Sequence, residues 1–149
     1  MRVPFCMAIA GLMLASPALA LDLNAFRAEH KLPPLSHSAT LAGAAYAHAR
    51  DTAKRNSLDH DGFKERARFT GGTAAENVLF FTCARPDAKP GPTFAGRACG
   101  CSDEDCAIKQ WAKSAGHRAN MLMKGVTSYG LASAVAENGR KYWVMMLGN

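Results

Sequence analysis

Three side chains far apart in the chain have the types that do chemistry: His60, Glu76 and His117. His60 lies in "LDHDG", a turn built from helix-breaking residues. Glu76 is followed at once by the apolar run "NVLFF", which puts a carboxylate beside surface that must be buried. His117 stands in "SAGHRANML", directly behind a glycine. Two imidazoles and one carboxylate are what a catalytic zinc site needs, with water in the fourth position. The same groups also serve as a general acid/base pair. Nothing local joins residues 60, 76 and 117, so spacing leaves a plainer reading open, in which each is hydrogen-bonded separately. The other catalytic patterns are missing. The chain has no His-Glu-x-x-His, no Gly-x-Ser-x-Gly elbow and no phosphate-cradling Gly-Lys-Ser/Thr loop.

The first twenty residues read as a secretory signal peptide. Arg2 supplies the positive start, Val3 to Ala15 is almost wholly apolar, and Ala18-Leu19-Ala20 has the small-x-small form of a cleavage site. Removing twenty of the 149 residues leaves 129, a length that suits one domain at 21–149 with one core. No later apolar run is long enough to cross a membrane. Export to the periplasm or outside the cell follows, and so does an oxidising environment. Cys83, Cys99, Cys101 and Cys106 remain after cleavage, and two disulfides are expected of them. Cys-x-Cys-x4-Cys lacks the paired knuckles of a zinc knot. Neighbours one residue apart rarely bridge, so Cys83 pairs with Cys99 or Cys101 and the other with Cys106. The intervening stretch, rich in Pro and Gly, reads as a loop tied down at 83–106.

The net charge of +6 falls to +5 without Arg2. Mild basicity suits contact with anionic partners, but nucleic acid asks for a dense basic face or stacking aromatics. Here Lys54, Arg55, Lys64, Arg66 and Arg68 mingle with Asp51, Asp59, Asp61 and Glu65. That mixture reads as a solvated surface, and nucleic acid is not an expected partner.

The elements that must position the three side chains follow from pattern. Asp22 caps a short helix with Leu23 and Phe26 on one side, ended by "KLPPL" because residues before proline leave helical geometry. Ser38 opens the strongest helix, "SATLAGAAYAHARDTAKR". Leu41, Ala42, Ala45, Ala49 and Ala53 form its apolar stripe, narrow enough for another layer to approach closely. His48 lies one position off that stripe and reads as surface. His30 and His37, at loop edges, have no obvious partner. A further helical turn is expected in "FKERARF", and Gly71-Gly72 is a break. Ser102 and Asp105 form a capping-box pattern for the helix "EDCAIKQWAKSA". Gly116 then takes the position that ends a helix. The last residues read as two strands around Asn138-Gly139. Tyr142, Val144 and Met146 face one side of the final strand, and Trp143, Met145 and Leu147 face the other. A strand apolar on both faces is covered on both faces. The preceding helices must supply both covers, which predicts an α-β-α sandwich around an antiparallel sheet.

Five segments in order carry a family resemblance. They are "LNAFRAEHKLPPLSHSATLAGAAYAHA", "DHDG", "AAENV", "QWAKSAGHRANML" and the pair "YGLASA" and "YWVMMLG". Together they resemble the CAP superfamily (cysteine-rich secretory proteins, antigen 5 and pathogenesis-related 1) in its compact bacterial SCP-like form, over nearly all of residues 23–149. The resemblance implies an α+β, three-layer α-β-α sandwich. It also implies that His60, Glu76 and His117 line one cavity, with His60 and His117 as ligands for a weakly held divalent metal such as zinc. Where many animal members carry a further glutamate, this chain has Ser114. It has Ala75 for the usual glycine and Ala115 for the usual proline. Asn120 is expected to fix backbone geometry. The family scaffold serves extracellular binding of lipids, sterols, glycans or partner proteins. The expected function is therefore an exported binding module rather than an enzyme. The alternative is a zinc-dependent hydrolase acting on peptides or cell-wall material.

Overall fold

The computed structural model describes residues 22–82 and 103–149. Helix α1 (Leu23–Glu29) starts at Asp22, whose carboxylate accepts from the Ala25 amide at 2.7 Å. Strand β1 (Ser36–His37) is only two residues long. Helix α2 (Ala39–Arg55) starts at Ser38, whose hydroxyl accepts from the Leu41 amide. A short helix α3 (Phe63–Arg66) and one 3-10 turn (Ala67–Phe69) lead into strand β2 (Ala74–Thr82). Two helices, α4 (Glu104–Ala112) and α5 (Ala115–Met121), precede the closing strands β3 (Ser128–Val135) and β4 (Arg140–Gly148).

The sheet runs β1-β3-β4-β2. Its three long strands are antiparallel, as the apolar pattern required. β1 adds a parallel fringe at one edge, pairing Ser36 with Ser128 and His37 with Tyr129. Strand β4 lies at the centre and is buried from Tyr142 to Gly148. Its side chains divide between the two layers by the two-residue period of a strand. Trp143, Met145 and Leu147 pack with Leu23, Phe26, Ile108, Trp111 and Met121 of the α1/α4/α5 layer. Val144 and Met146 pack with Leu41, Ala45 and Ala49 of α2.

The alanines of α2 let helix and sheet meet backbone to backbone. Gly130 of β3 lies so close to Leu41 and Ala42 that a Cβ there would collide with their main chain. The hairpin joining β3 to β4 turns at Gly139, which has φ +82° and so occupies the left-handed region that glycine tolerates.

Three local expectations change. The α4 cap is Asp103, which accepts from the Cys106 amide at 3.1 Å, in place of the Ser102/Asp105 box. An aspartate directly before the first helical residue supplies the acceptor without a capping glutamate. Gly116 does not end a helix: α4 stops at Ala112, and Ser114 begins α5, which contains both Gly116 and His117. His30 does find a partner, since its ring Nδ1 bonds the Phe26 carbonyl at 2.9 Å. The signal segment and Cys83, Cys99 and Cys101 lie outside the described residues, and with them the expected pairing of Cys106.

Candidate functional site

Glu76 enters β2 at a position where the strand is covered on both faces, and it is 5 % exposed. An ionised carboxylate there must be matched by donors. Three reach it. His60 Nδ1 lies 2.8 Å from Oε1, Arg66 Nε donates to Oε2 at 2.6 Å, and Arg66 Nη2 donates to Oε1 at 2.8 Å. The structure thus brings together two of the three chemistry-bearing side chains that sequence singled out, His60 and Glu76.

Because a carboxylate only accepts, Nδ1 of His60 carries a proton, and in the neutral ring the lone pair is then on Nε2. The ring is therefore held in one tautomer and one orientation, while its side chain remains 52 % exposed. A carboxylate bonded to one ring nitrogen in this way fixes the direction in which the other ring nitrogen points.

Arg66 is no ordinary surface residue. Its side chain is 12 % exposed, and besides gripping Glu76 it donates through Nη1 to the Asp61 carbonyl at 2.6 Å. The sequence offers no signal for this, because the contact depends on α3 folding back over β2.

His48 is the second residue misplaced by sequence. It is 3 % exposed, not on the surface. It donates from Nε2 to the Asp59 carbonyl at 2.9 Å, and the same nitrogen lies 3.9 Å from Glu76 Oε1. The signal was present: residues 41, 45, 48 and 52 follow helical spacing, and all four are buried.

The turn that carries His60 is thus held from below by His48. From outside, Arg55 bonds both carboxylate oxygens of Asp59 at 2.8 and 3.0 Å. Those hydrogen bonds hold the Asp59 carboxyl well below the usual carboxylate range.

His117 lies in the other layer, on α5. Two side-chain amides stitch its helix to β2. Asn77 donates to the His117 carbonyl at 3.0 Å, and Asn120 donates to Asn77 Oδ1 at 2.9 Å and to the Glu76 carbonyl at 3.3 Å. Asn120 therefore fixes backbone geometry, as expected, while Asn77, fully buried, was not anticipated. The His117 ring is partly buried, and its pKa is lowered, first by that burial and then by the nearby His60. Both causes favour the neutral imidazole, the form that binds a metal.

Beside these groups lies a hollow of about 290 Å³, lined by His60, Glu76, Asn120 and the apolar Phe63, Ala74, Ala75 and Met123. His117 is not part of its wall. Among the described residues, no group of three or more His, Cys, Asp or Glu is arranged to hold a metal ion. Glu76 accepts two hydrogen bonds at Oε1 and one at Oε2, so most of its acceptor capacity goes to orienting His60 and Arg66. Among the described residues, His60 Nε2 and the His117 ring are imidazole donors near the site.

Arg27 and Asn24 of α1 hold the framework around this site. Arg27 is fully buried and donates to the carbonyls of Pro33, Met121 and Met123, while Asn24 exchanges two hydrogen bonds with the Leu35 backbone. The end of α5 is thereby fixed to α1.

A three-layer sandwich with a buried strand glutamate clamping a turn histidine defines the class of this fold. Solved bacterial structures share the fold. An outer surface protein of Borrelia burgdorferi superposes with a TM-score of 0.65 at 13% identity, covering 85% of this chain and 86% of that one. An extracellular protein containing an SCP domain from Bacillus anthracis gives 0.61 at 24% identity, over 85% of this chain and 37% of that one. A cysteine-rich secretory protein from Staphylococcus aureus gives 0.55 at 19% identity, over 84% and 35%. The chain thus spans little more than a third of the last two. No curated protein sequence matches it. The model of the cysteine-rich secretory protein family (CAP) matches residues 22–147, and the chain belongs to that family.

Proposed function

We propose that the protein is an exported binding module. In this reading the hollow beside His60 receives a small group of a lipid, glycan or protein ligand, and His60 and His117 hold a divalent metal weakly. One observation carries it: His60 is fixed in tautomer and orientation by buried Glu76, yet its ring stands half open at the mouth of a largely apolar hollow. A side chain built only for stability would not be oriented from within and left exposed at its working edge. The size of the hollow, near the lower end for small-molecule sites, suits an acyl end or one sugar rather than a whole lipid. Export is supported by the leader pattern of residues 1–20 and by structural relatives described as extracellular or outer surface proteins. Two disulfides through Cys83, Cys99, Cys101 and Cys106 belong to the same reading.

A zinc ion would supply a positive centre to polarise or anchor an oxygen of the ligand. The donor chemistry fits two imidazoles: Glu76 orients one, and burial keeps the other neutral. The hydrolase alternative gains no support from this geometry, because Arg66 and His60 occupy the carboxylate it would need as a base. Calorimetric zinc titration at pH 7.5, on the wild type, His60→Ala and His117→Ala, tests the metal. Weak binding that either substitution abolishes is expected. Equal binding by all three proteins would remove the shared site. Mass spectrometry of protein recovered from its native compartment identifies the ligand.

A further inference from the structure

A second surface, away from His60, has the properties of a polypeptide-binding edge. Strand β3 has eight residues, but β1 pairs with Ser128 and Tyr129 only. Among the described residues, no strand pairs with the outer edge of β3 beyond Tyr129. The Tyr129 carbonyl accepts from the Ser38 amide across that edge. By the alternation of a strand, the N–H and C=O groups of Leu131, Ser133 and Val135 also point outward there. An open sheet edge is a template for another chain unless something blunts it. Two of the usual devices are missing from 131–135, which holds no proline and no charged residue.

Beside this edge runs a cleft of about 730 Å³ between β3 and the outer flank of α2. The helix wall presents Ala47, Arg50 and Lys54 at helical spacing, and the strand wall presents Ala134 and Val135. Val135 is 66 % exposed. One end of the cleft is closed by Asn56, whose side-chain oxygen accepts from Asn138, Arg140 and Tyr142 at 2.7, 3.1 and 2.9 Å.

Charge says what fits. Asp51, in the same wall, is neutralised by two hydrogen bonds from Arg55. Arg50 stacks over Tyr46, and neither Arg50 nor Lys54 has an anionic partner among the described residues. The remaining acid of the lining, Glu137, sits at the hairpin tip. The helix wall is therefore cationic along the line an added strand would follow.

We infer that this edge and cleft bind an extended segment of a partner protein that pairs with Leu131–Val135 and turns acidic side chains toward Arg50 and Lys54. Main-chain bonds would supply affinity, and the two cations would choose the sequence and help set direction. A second copy of this chain fits less well, because edge-to-edge pairing would bring two sets of the same cations together. The inference concerns a site separate from the histidine hollow and does not depend on any metal there.

The test uses the folded protein and two pools of ten-residue peptides, with alternate positions fixed as Asp/Glu in one and Lys/Arg in the other. Binding is read by fluorescence anisotropy, and hydrogen exchange reads the amides of 131, 133 and 135. The acidic pool should bind and protect those amides. Its members N-methylated on the pairing side should not. Arg50→Glu/Lys54→Glu should weaken binding about tenfold or more, with a steep dependence on salt. Ser133→Pro, which removes one outward N–H at a place where proline is tolerated, should abolish it. Equal binding of both pools, binding indifferent to the charge reversal, protection mapping near His60, or no protection at all would overturn the inference. So would a dimer that Ser133→Pro dissociates. The charge-reversal pair lies on the exposed flank of α2, so it reads the site even if the proline variant folds poorly.

Discussion

Replacing Glu76 by glutamine keeps the shape of the side chain and removes its charge. The carboxylate accepts three hydrogen bonds from His60 and Arg66 at 2.6–2.8 Å. Glutamine has one oxygen and one NH₂, so at least one Arg66 donor is left facing another donor. A hydrogen bond to a charged group contributes about 1.5–3 kcal/mol. Breaking a fully buried ion pair costs about 3–5 kcal/mol. Here Arg66 keeps 12 % of its side-chain surface and His60 keeps 52 %, so water recovers part of that loss. The expected destabilisation is therefore about 2–4 kcal/mol, a large share of the roughly 5–15 kcal/mol that holds such a domain together. Urea unfolding of wild type and Glu76→Gln measures it. Adding Arg66→Met should cost less than the sum of the single changes, by about 1 kcal/mol or more, because each removes the same interaction. A loss below about 0.5 kcal/mol, or strict additivity, would show that the Arg66–Glu76–His60 cluster does not hold the site together.

Gly130→Ala should lower stability by about 2–3 kcal/mol, since its methyl meets the backbone of Leu41 and Ala42, which cannot turn aside as a side chain would. Thermal unfolding reads this, and an unchanged melting temperature would mean that α2 does not lie on β3 as described. His117 titrates below its ordinary value in the folded protein. The unfolded chain, with a pKa of about 6.5, therefore binds the proton more readily. Its contribution to stability is full above about pH 6.5 and is lost as pH falls from there through the lower native pKa. His117→Gln should flatten that part of the stability–pH curve, which chemical denaturation at stepped pH values follows.

Much of this protein follows from local rules that sequence displays. Asp22 and Ser38 cap their helices because an acceptor side chain before a first turn works whatever lies beyond it. The two-sided apolar character of Tyr142–Leu147 requires two covering layers, and they are present. His60 and Glu76 stood out because polar residues in a turn and beside apolar sequence need a reason, and here they meet.

What tertiary structure alone decided is how that carboxylate is satisfied. Arg66 looked like one charge in a mixed surface, and His48 like a polar residue to be left in water. Arg66 is drawn inward because a buried Glu76 needs donors and counter-charge, a demand that arises only when α3 and β2 meet, whereas His48 lies on the buried face of α2 and spends its ring nitrogen on the Asp59 carbonyl. The same closure decides where β3 is left open. β1 runs for two residues and ends at His37, and at Ser38 the chain turns into α2, so among the described residues the rest of that edge goes unpaired. Helix caps and strand faces are set within a few residues of sequence. Charge compensation and free edges are set by which surfaces meet, and no local pattern encodes them.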